Sequence, residues 1–220
     1  MKKKDRELSV LLKLTKAILK FFLIFRGIWK YIFIRRVCVR VVIIRHAEVD
    51  FCWSRRCTSE MFDSECRKYD LSPIRNVNYN IPQTTYQKIY VSELSRSQDT
   101  AKILFQNGEY AESRLINEVP LKSSFDTRLN LPLWFWNLTG RLQWFFNCRR
   151  QAEERRQTRE RAKEFVELIG NDDMDAAVVT HGFYMHTLLQ EMKKVGFKMT
   201  GASANFKNGE YVIAEKQKHI

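Results

Sequence analysis

Two short apolar runs that each end near a histidine constrain the fold of this chain more than any other feature. The first run, 41–44, leads directly into Arg45 and His46, and the second, 176–179, is followed one residue later by His181. Continuous apolar runs of this length are typical of parallel strands that are buried on both faces. Open α/β sheets bind ligands at the carboxyl ends of such strands. The sequence therefore predicts an α/β sheet in which two imidazoles face one site.

The pattern after residue 36 predicts strands that alternate with helices. Asn208-Gly209 is a hairpin signal between two short strands, and residues 47–86 lack a clear period, so we expect a long loop over the site. A Gly170-Asn171 pair is expected to end the helix before the second apolar run. The predicted strands are 37–44, 88–91, 114–116, 176–180, 204–207 and 210–214, and the predicted helices are 96–105, 153–169 and 183–194.

Basic residues are concentrated at the N-terminus. The formal net charge is +13 at pH 7, and residues 1–40, with twelve Lys or Arg and two acidic residues, account for +10 of it. The rest of the chain is close to balanced, which argues against a nucleic-acid-binding domain. We expect Trp134, Trp136 and Trp144 in the core or the pocket wall rather than on a base-stacking platform, and no nucleic-acid partner.

Residues 1–36 are expected to form a separate basic, amphipathic extension ahead of a domain at 37–220. Apolar residues recur there at helical spacing while lysines share another face, which is typical of a helix that lies on an anionic membrane surface. Binding to a partner, or packing on the protein itself, is a second interpretation. A spanning helix at 17–34 is a third, although three basic residues interrupt that window.

The spacing of the cysteines indicates the redox compartment, and the spacing of the glycines shows whether a nucleotide-binding loop is present. Five cysteines without a CxxC pair predict free thiols in a reducing compartment, and Cys52, Cys57 and Cys66 lack a fourth ligand at zinc spacing. No GxGxxG or Walker-type loop occurs. We therefore expect no metal, no cofactor and a cytoplasmic location, with attachment to the inner membrane surface as an alternative.

The residue types at the two strand ends suit phosphoryl transfer. A neutral imidazole such as that of His46 is a competent nucleophile towards phosphorus. The guanidinium groups of Arg45 and Arg96 match the charge and geometry of phosphate oxygens. His181 and the amide of Gly182 at a helix start are candidate hydrogen-bond donors to the same oxygens. The leaving alkoxide also requires a proton, so a carboxylic acid is expected nearby.

These segments together resemble the histidine phosphatase superfamily, also called the phosphoglycerate mutase-like group. RHAE at 45–48 resembles its RHG motif, SELSRSQDTA at 92–101 is similar to its S-x-L-x-R-x-x-x-T-A segment, and THG at 180–182 resembles its late HG motif. Their order and spacing agree over residues 37–214. The stretch 118–146 is similar to that of a bacterial subgroup whose substrate is unknown.

The resemblance implies a three-layer α/β/α sandwich with a mostly parallel central sheet. It also implies a covalent mechanism in which His46 accepts the phosphoryl group as phosphohistidine. The phosphate pocket would consist of Arg45, Arg96, His181 and Gly182.

A general acid is also implied, between the second and the last motif. Glu118 is the best candidate for this role, and Asp126 and Glu48 are alternatives. Ala47 replaces the usual glycine, which is costly only where a positive φ or a close approach to substrate is required. Val49 and Asp50 lie where the mutases have Thr and Asn, which favours a phosphatase.

The function predicted from the sequence is hydrolysis of a phosphate monoester, with a small phosphorylated molecule as substrate. A second hypothesis is a catalytically degenerate domain that binds a phosphorylated ligand at a membrane.

Overall fold

The computed structural model describes residues 38–75, 79–82, 84–106, 108–172, 174–201 and 206–217. The predicted N-terminal extension, 1–36, lies outside the described residues, so its three interpretations stay predictions. Part of the predicted strand 204–207 also lies outside them. No helix in the described ranges is both long and apolar enough to cross a bilayer.

Strands and helices alternate along the described chain, as the sequence predicts. The strands are β1 (Cys38–Arg45), β2 (Arg56–Cys57), β3 (Lys88–Val91), β4 (Tyr110–Glu112), β5 (Leu131–Pro132), β6 (Ala176–Thr180), β7 (Lys198–Thr200) and β8 (Tyr211–Gln217). The helices are α1 (Ser59–Leu71), α2 (Ser95–Leu104), α3 (Leu133–Phe145), α4 (Arg155–Asp172) and α5 (Gly182–Lys194), with a 3-10 turn at Arg114–Ile116.

Six of these strands form the main sheet, in the order β4-β3-β6-β1-β8-β7. β4, β3, β6 and β1 are parallel neighbours, whereas β7 pairs with β8 in the antiparallel direction. The sheet is therefore mostly parallel, which confirms the predicted fold class. β1 and β6, the two apolar runs, lie side by side near its centre.

Side chains of the central strands alternate between two hydrophobic layers, which explains why both runs are continuously apolar. Val41, Ile43 and Val178 pack with the buried faces of α4 and α5. Ile44 and Val179 pack on the other side, with residues of α2. Helices thus cover both faces of the sheet, as in a three-layer sandwich.

A third hydrophobic cluster joins α1 and α3 outside these two layers. It is built around Cys57, Phe62 and Trp136, and it includes the two-stranded β2–β5 ribbon. The prediction of an irregular loop at 47–86 is wrong, because Thr58 caps α1 there by accepting a hydrogen bond from the Met61 amide.

Two further predicted elements differ from the observed ones, and so does one predicted core residue. Residues 114–116 form a 3-10 turn, and the neighbouring strand is β4. The α4 helix continues through Gly170 and ends at Asp172 instead of at the predicted stop. Trp136 and Trp144 are buried as expected, but Trp134 is exposed on α3.

Candidate active site

The register of β1 and β6 brings the two strand-end histidines together. Arg45 is paired with Thr180 in the sheet, so His46 and His181 follow at the same edge. Their ring centroids are 5.0 Å apart, and both side chains are buried. The predicted meeting of two imidazoles is therefore present in the fold.

The polar contacts of His46 determine which of its nitrogens carries the proton. Nδ1 lies 2.7 Å from the carbonyl oxygen of Ala47, and a carbonyl can only accept, so Nδ1 is protonated and Nε2 keeps its lone pair. Burial, followed by the charges of Arg96 and Arg45, lowers the pKa of His46 to about 3. His46 is thus a neutral imidazole at physiological pH.

The backbone around His46 is held by side chains from two other segments. The Asn208 amide nitrogen donates to the carbonyl oxygens of His46 and Ala47, at 3.1 and 3.2 Å. Thr100, from the second motif, accepts a hydrogen bond from the Ala47 amide at 2.8 Å. Among the described non-glycine residues, a positive φ occurs only at Asn147, so the alanine at position 47 introduces no backbone strain.

Arg45 lies directly against the start of α5. A Cβ on Gly182 would come within 2.9 Å of Arg45 Nε, so only glycine leaves the guanidinium in this place. Arg45 Nη1 donates to the carbonyl oxygen of Phe206. Its buried Nε has no hydrogen-bond partner within the described ranges, which leaves a donor for an anion at the cleft.

Arg96 is buried beside the two histidines, as the sequence analysis predicts. Its Nε donates to His181 Nδ1 at 3.3 Å, and its Nη1 donates to Asp70 Oδ1 at 2.7 Å. The Tyr69 ring lies against the guanidinium, with the centroid 5.1 Å from Cζ. Asp70 therefore occupies one donor of the cation.

His181 has the opposite protonation pattern to His46. Because Nδ1 accepts from Arg96, the proton lies on Nε2, which donates to Ser92 Oγ at 2.7 Å and also contacts Ser97 Oγ at 3.2 Å. Burial, followed by the charges of His46 and Arg96, holds the pKa of His181 well below its usual value. His181 is not among the residues that line the cleft. A hydrogen bond from its ring to phosphate would have to replace one of the bonds to Arg96, Ser92 or Ser97.

Glu118 lies at the N-terminus of α5. Its carboxylate accepts hydrogen bonds from the amides of Tyr184 at 3.0 Å and Phe183 at 3.4 Å. The Phe183 amide, which follows the candidate phosphate donor Gly182, therefore faces Glu118. The two alternative acids pair elsewhere, Asp126 with Arg150 and Glu48 with Arg75, and neither lines the cleft.

A cleft of about 1240 Å³ connects these groups, and it includes residues that the sequence analysis missed. Asp70 lies at the end of α1, and Arg141 on α3, two helices that were not predicted. The Arg141 guanidinium stacks on the Phe183 ring, 3.7 Å from its centroid, and donates to the Val119 carbonyl. Five of the predicted site residues line the cleft, namely Arg45, His46, Arg96, Glu118 and Gly182.

The structure also shows the state of the cysteines and the grouping of metal-ligating side chains in the part of the chain that it describes. All five cysteines are free thiols. Among the described side chains, no three His, Cys, Asp or Glu residues cluster in a way that would hold a metal ion.

The sequence matches the profile of the histidine phosphatase superfamily (branch 1) over residues 41–218. No curated protein matches the chain. Phosphoglycerate mutase from Bacillus anthracis has a similar fold, with a TM-score of 0.52 and 13% identity over 82% of this chain and 89% of that one.

Two further structures are similar to the chain at lower TM-scores. A mycobacterial glucosyl-3-phosphoglycerate phosphatase has a TM-score of 0.48 and 15% identity, over 83% of this chain and all of that one. A phosphoserine phosphatase mutant from Entamoeba histolytica, bound to phosphoserine, has a TM-score of 0.44 and 15% identity over 71% and 80% of the two chains.

Proposed function

The chain belongs to the histidine phosphatase superfamily, and we propose that it hydrolyses a phosphate monoester through a covalent phosphohistidine on His46. The observation that carries this proposal is the state of His46. Its Nδ1 proton is fixed by the Ala47 carbonyl, its pKa is lowered to about 3, and two guanidinium groups lie beside it. A neutral nucleophile next to fixed cations is what transfer of a phosphoryl dianion requires.

In the first step, His46 Nε2 attacks phosphorus as the bond to the ester oxygen breaks. Arg45 and Arg96 stabilise the charge on the phosphoryl oxygens, and Asp70 has to leave the Arg96 donor that the phosphate takes. Glu118 gives its proton to the leaving oxygen, which departs as an alcohol.

In the second step, water attacks the phosphohistidine and the N–P bond breaks. Glu118, now a carboxylate, accepts the proton of that water, so the products are inorganic phosphate and the resting enzyme. The substrate is a small phosphorylated molecule, and we place the reaction in the cytoplasm because the cysteines are free thiols.

Trapping the intermediate tests the proposal. The purified full chain is mixed with a radiolabelled phosphate monoester and quenched after one turnover. We expect alkali-stable, acid-labile label that disappears as phosphate is released. His46→Asn should take up no label and lose at least about 10⁴-fold in kcat, because the nucleophile is gone.

A chain that binds the ester but never becomes labelled would support the degenerate, ligand-binding alternative. Turnover by His46→Asn at the wild-type rate would exclude the phosphohistidine mechanism.

The acid role is tested by changing the leaving group. Glu118→Gln should lower kcat about 10²-fold for an alkyl phosphate but little for p-nitrophenyl phosphate, whose leaving group needs no proton. Asp126→Asn is the matched control, because this carboxylate is exposed and paired with Arg150. An equal loss on both substrates would show that Glu118 acts by another route.

A further inference from the structure

Helix α3 presents a face of large apolar side chains to solvent. Trp134, Leu138, Leu142 and Phe145 are 46% to 64% exposed, and Phe146 follows at 69%. Intervals of four, four and three residues place the first four on one side of the helix. Single exposed apolar residues are ordinary, but a contiguous row of this size marks an interaction surface. We call these five residues the apolar stripe.

The other two sides of α3 already have partners. Trp136, Gly140 and Trp144 are buried against the protein, while Leu133, Asn137 and Arg141 line the cleft. Because side chains four residues apart are neighbours on a helix, Phe145 of the stripe lies beside Arg141 of the cleft wall. Any surface that contacts the apolar stripe therefore meets the edge of the active-site cleft.

Arginines flank the apolar stripe in the sequence, and acidic residues are absent from this part of the chain. Residues 127–152 contain no Asp or Glu. Arg128 and Arg149 are exposed, and the Arg155 guanidinium lies over the Phe145 ring, 4.3 Å from its centroid. None of these three arginines has an ion-pair partner among the side chains that the structure describes.

We propose that the apolar stripe docks on an anionic lipid surface, with the cleft opening at that surface. Trp, Phe and Leu flanked by arginines are the composition of helices that lie in the membrane interface, and the arginines complement anionic headgroups. A second copy of this chain would bring like charges together, and residues 1–36, with a net charge of +9, would be repelled in the same way. The inference does not depend on the catalytic proposal.

Fluorescence quenching reports directly on Trp134. The full chain is mixed with vesicles of phosphatidylcholine and phosphatidylglycerol that carry brominated acyl chains. We expect quenching in the wild type, and less quenching in Trp134→Phe at equal vesicle binding, because the substitution removes the inserted fluorophore and keeps an apolar ring. The difference isolates Trp134 from a contribution of Trp29. Equal quenching of the two proteins would overturn the proposal.

A matched pair of double variants measures affinity. Trp134→Gln/Leu138→Gln should weaken binding to the mixed vesicles at least about tenfold, because two large apolar side chains no longer enter the interface. Leu168→Gln/Val195→Gln, which alters two exposed apolar residues on other segments, should bind within about twofold of wild type, because it leaves the stripe intact.

Three results would overturn the assignment. They are equal affinity of the two double variants, absence of vesicle binding by the wild type, and a wild-type dimer that the stripe variant alone converts to a monomer. The last result would assign the face to a second copy.

Discussion

His46 and His181 both follow parallel strands that end at the same edge of the sheet, yet the hydrogen bonds of their rings are opposite. His46 has its proton on Nδ1, and its Nε2 meets no hydrogen-bond donor among the residues that the structure describes. Both nitrogens of His181 are bonded, Nδ1 to Arg96 and Nε2 to Ser92 and Ser97. The difference shows that position in the fold brings an imidazole to the site, while its neighbours decide what it does there. One ring is available to react, and the other fixes a cation.

Substitution of His181 is expected to give the largest effect that bears on this comparison. His181→Ala should lower kcat about 10²-fold, since Arg96 Nε loses its acceptor and the guanidinium is no longer oriented. His181→Asn should recover about tenfold of this loss, because its amide oxygen can take the place of Nδ1. The measurement is steady-state kinetics together with the yield of phosphohistidine, which both variants should still form.

The thermal midpoint of each His181 variant controls for loss of folding. If both variants are as inactive as His46→Asn and form no intermediate, the two histidines do not have separate roles.

A smaller effect is expected at Gly182, which follows β6 and lies against Arg45 at the end of β1. Gly182→Ala places a Cβ within 2.9 Å of Arg45 Nε, so the guanidinium must shift and kcat/KM should fall about tenfold. Gly170→Ala on α4 is the matched control, because no heavy atom lies within 4 Å of its added Cβ. It should keep full activity and raise the free energy of unfolding by up to about 1 kcal/mol. Unchanged kcat/KM in Gly182→Ala would show that the position of Arg45 has little importance.

The last prediction is that the histidine rings do not titrate near pH 6.5, and it tests the difference between His46 and His181 most directly. The pKa of His46, which is lowered to about 3, predicts that this ring stays neutral between pH 7 and pH 5, so kcat/KM should show no acid limb from His46 near the ordinary histidine pKa of 6.5. Burial lowers the pKa of His181 in the same direction. Long-range proton–nitrogen NMR should find the Nδ1–H tautomer at His46 and the Nε2–H tautomer at His181 across this range. A ring that titrates near pH 6.5, or two identical tautomers, would remove the distinction between them.

The parts of the fold that were predicted correctly depend on local patterns. β1 and β6 could be predicted because a strand buried on both faces must be apolar at every position. Arg96 was predicted from its guanidinium chemistry at a helix start and Glu118 from the family resemblance, and both line the cleft. The helices α1 and α3 were missed. Two sides of α3 contact the protein, and apolar residues on its third side face solvent. The segment therefore lacks the polar alternation of an ordinary amphipathic helix.

The sequence by itself determined the α/β order, the two strand-end histidines and the family, because these are encoded in short segments with a fixed period or motif. Only the tertiary structure decided the contacts of Asp70 and Asn208 and the tautomers of the two rings. Each of these depends on a hydrogen bond between residues far apart in the chain, such as Asn208 to the Ala47 carbonyl or Arg96 to His181. Such pairings arise from packing geometry, which no local pattern of residues specifies.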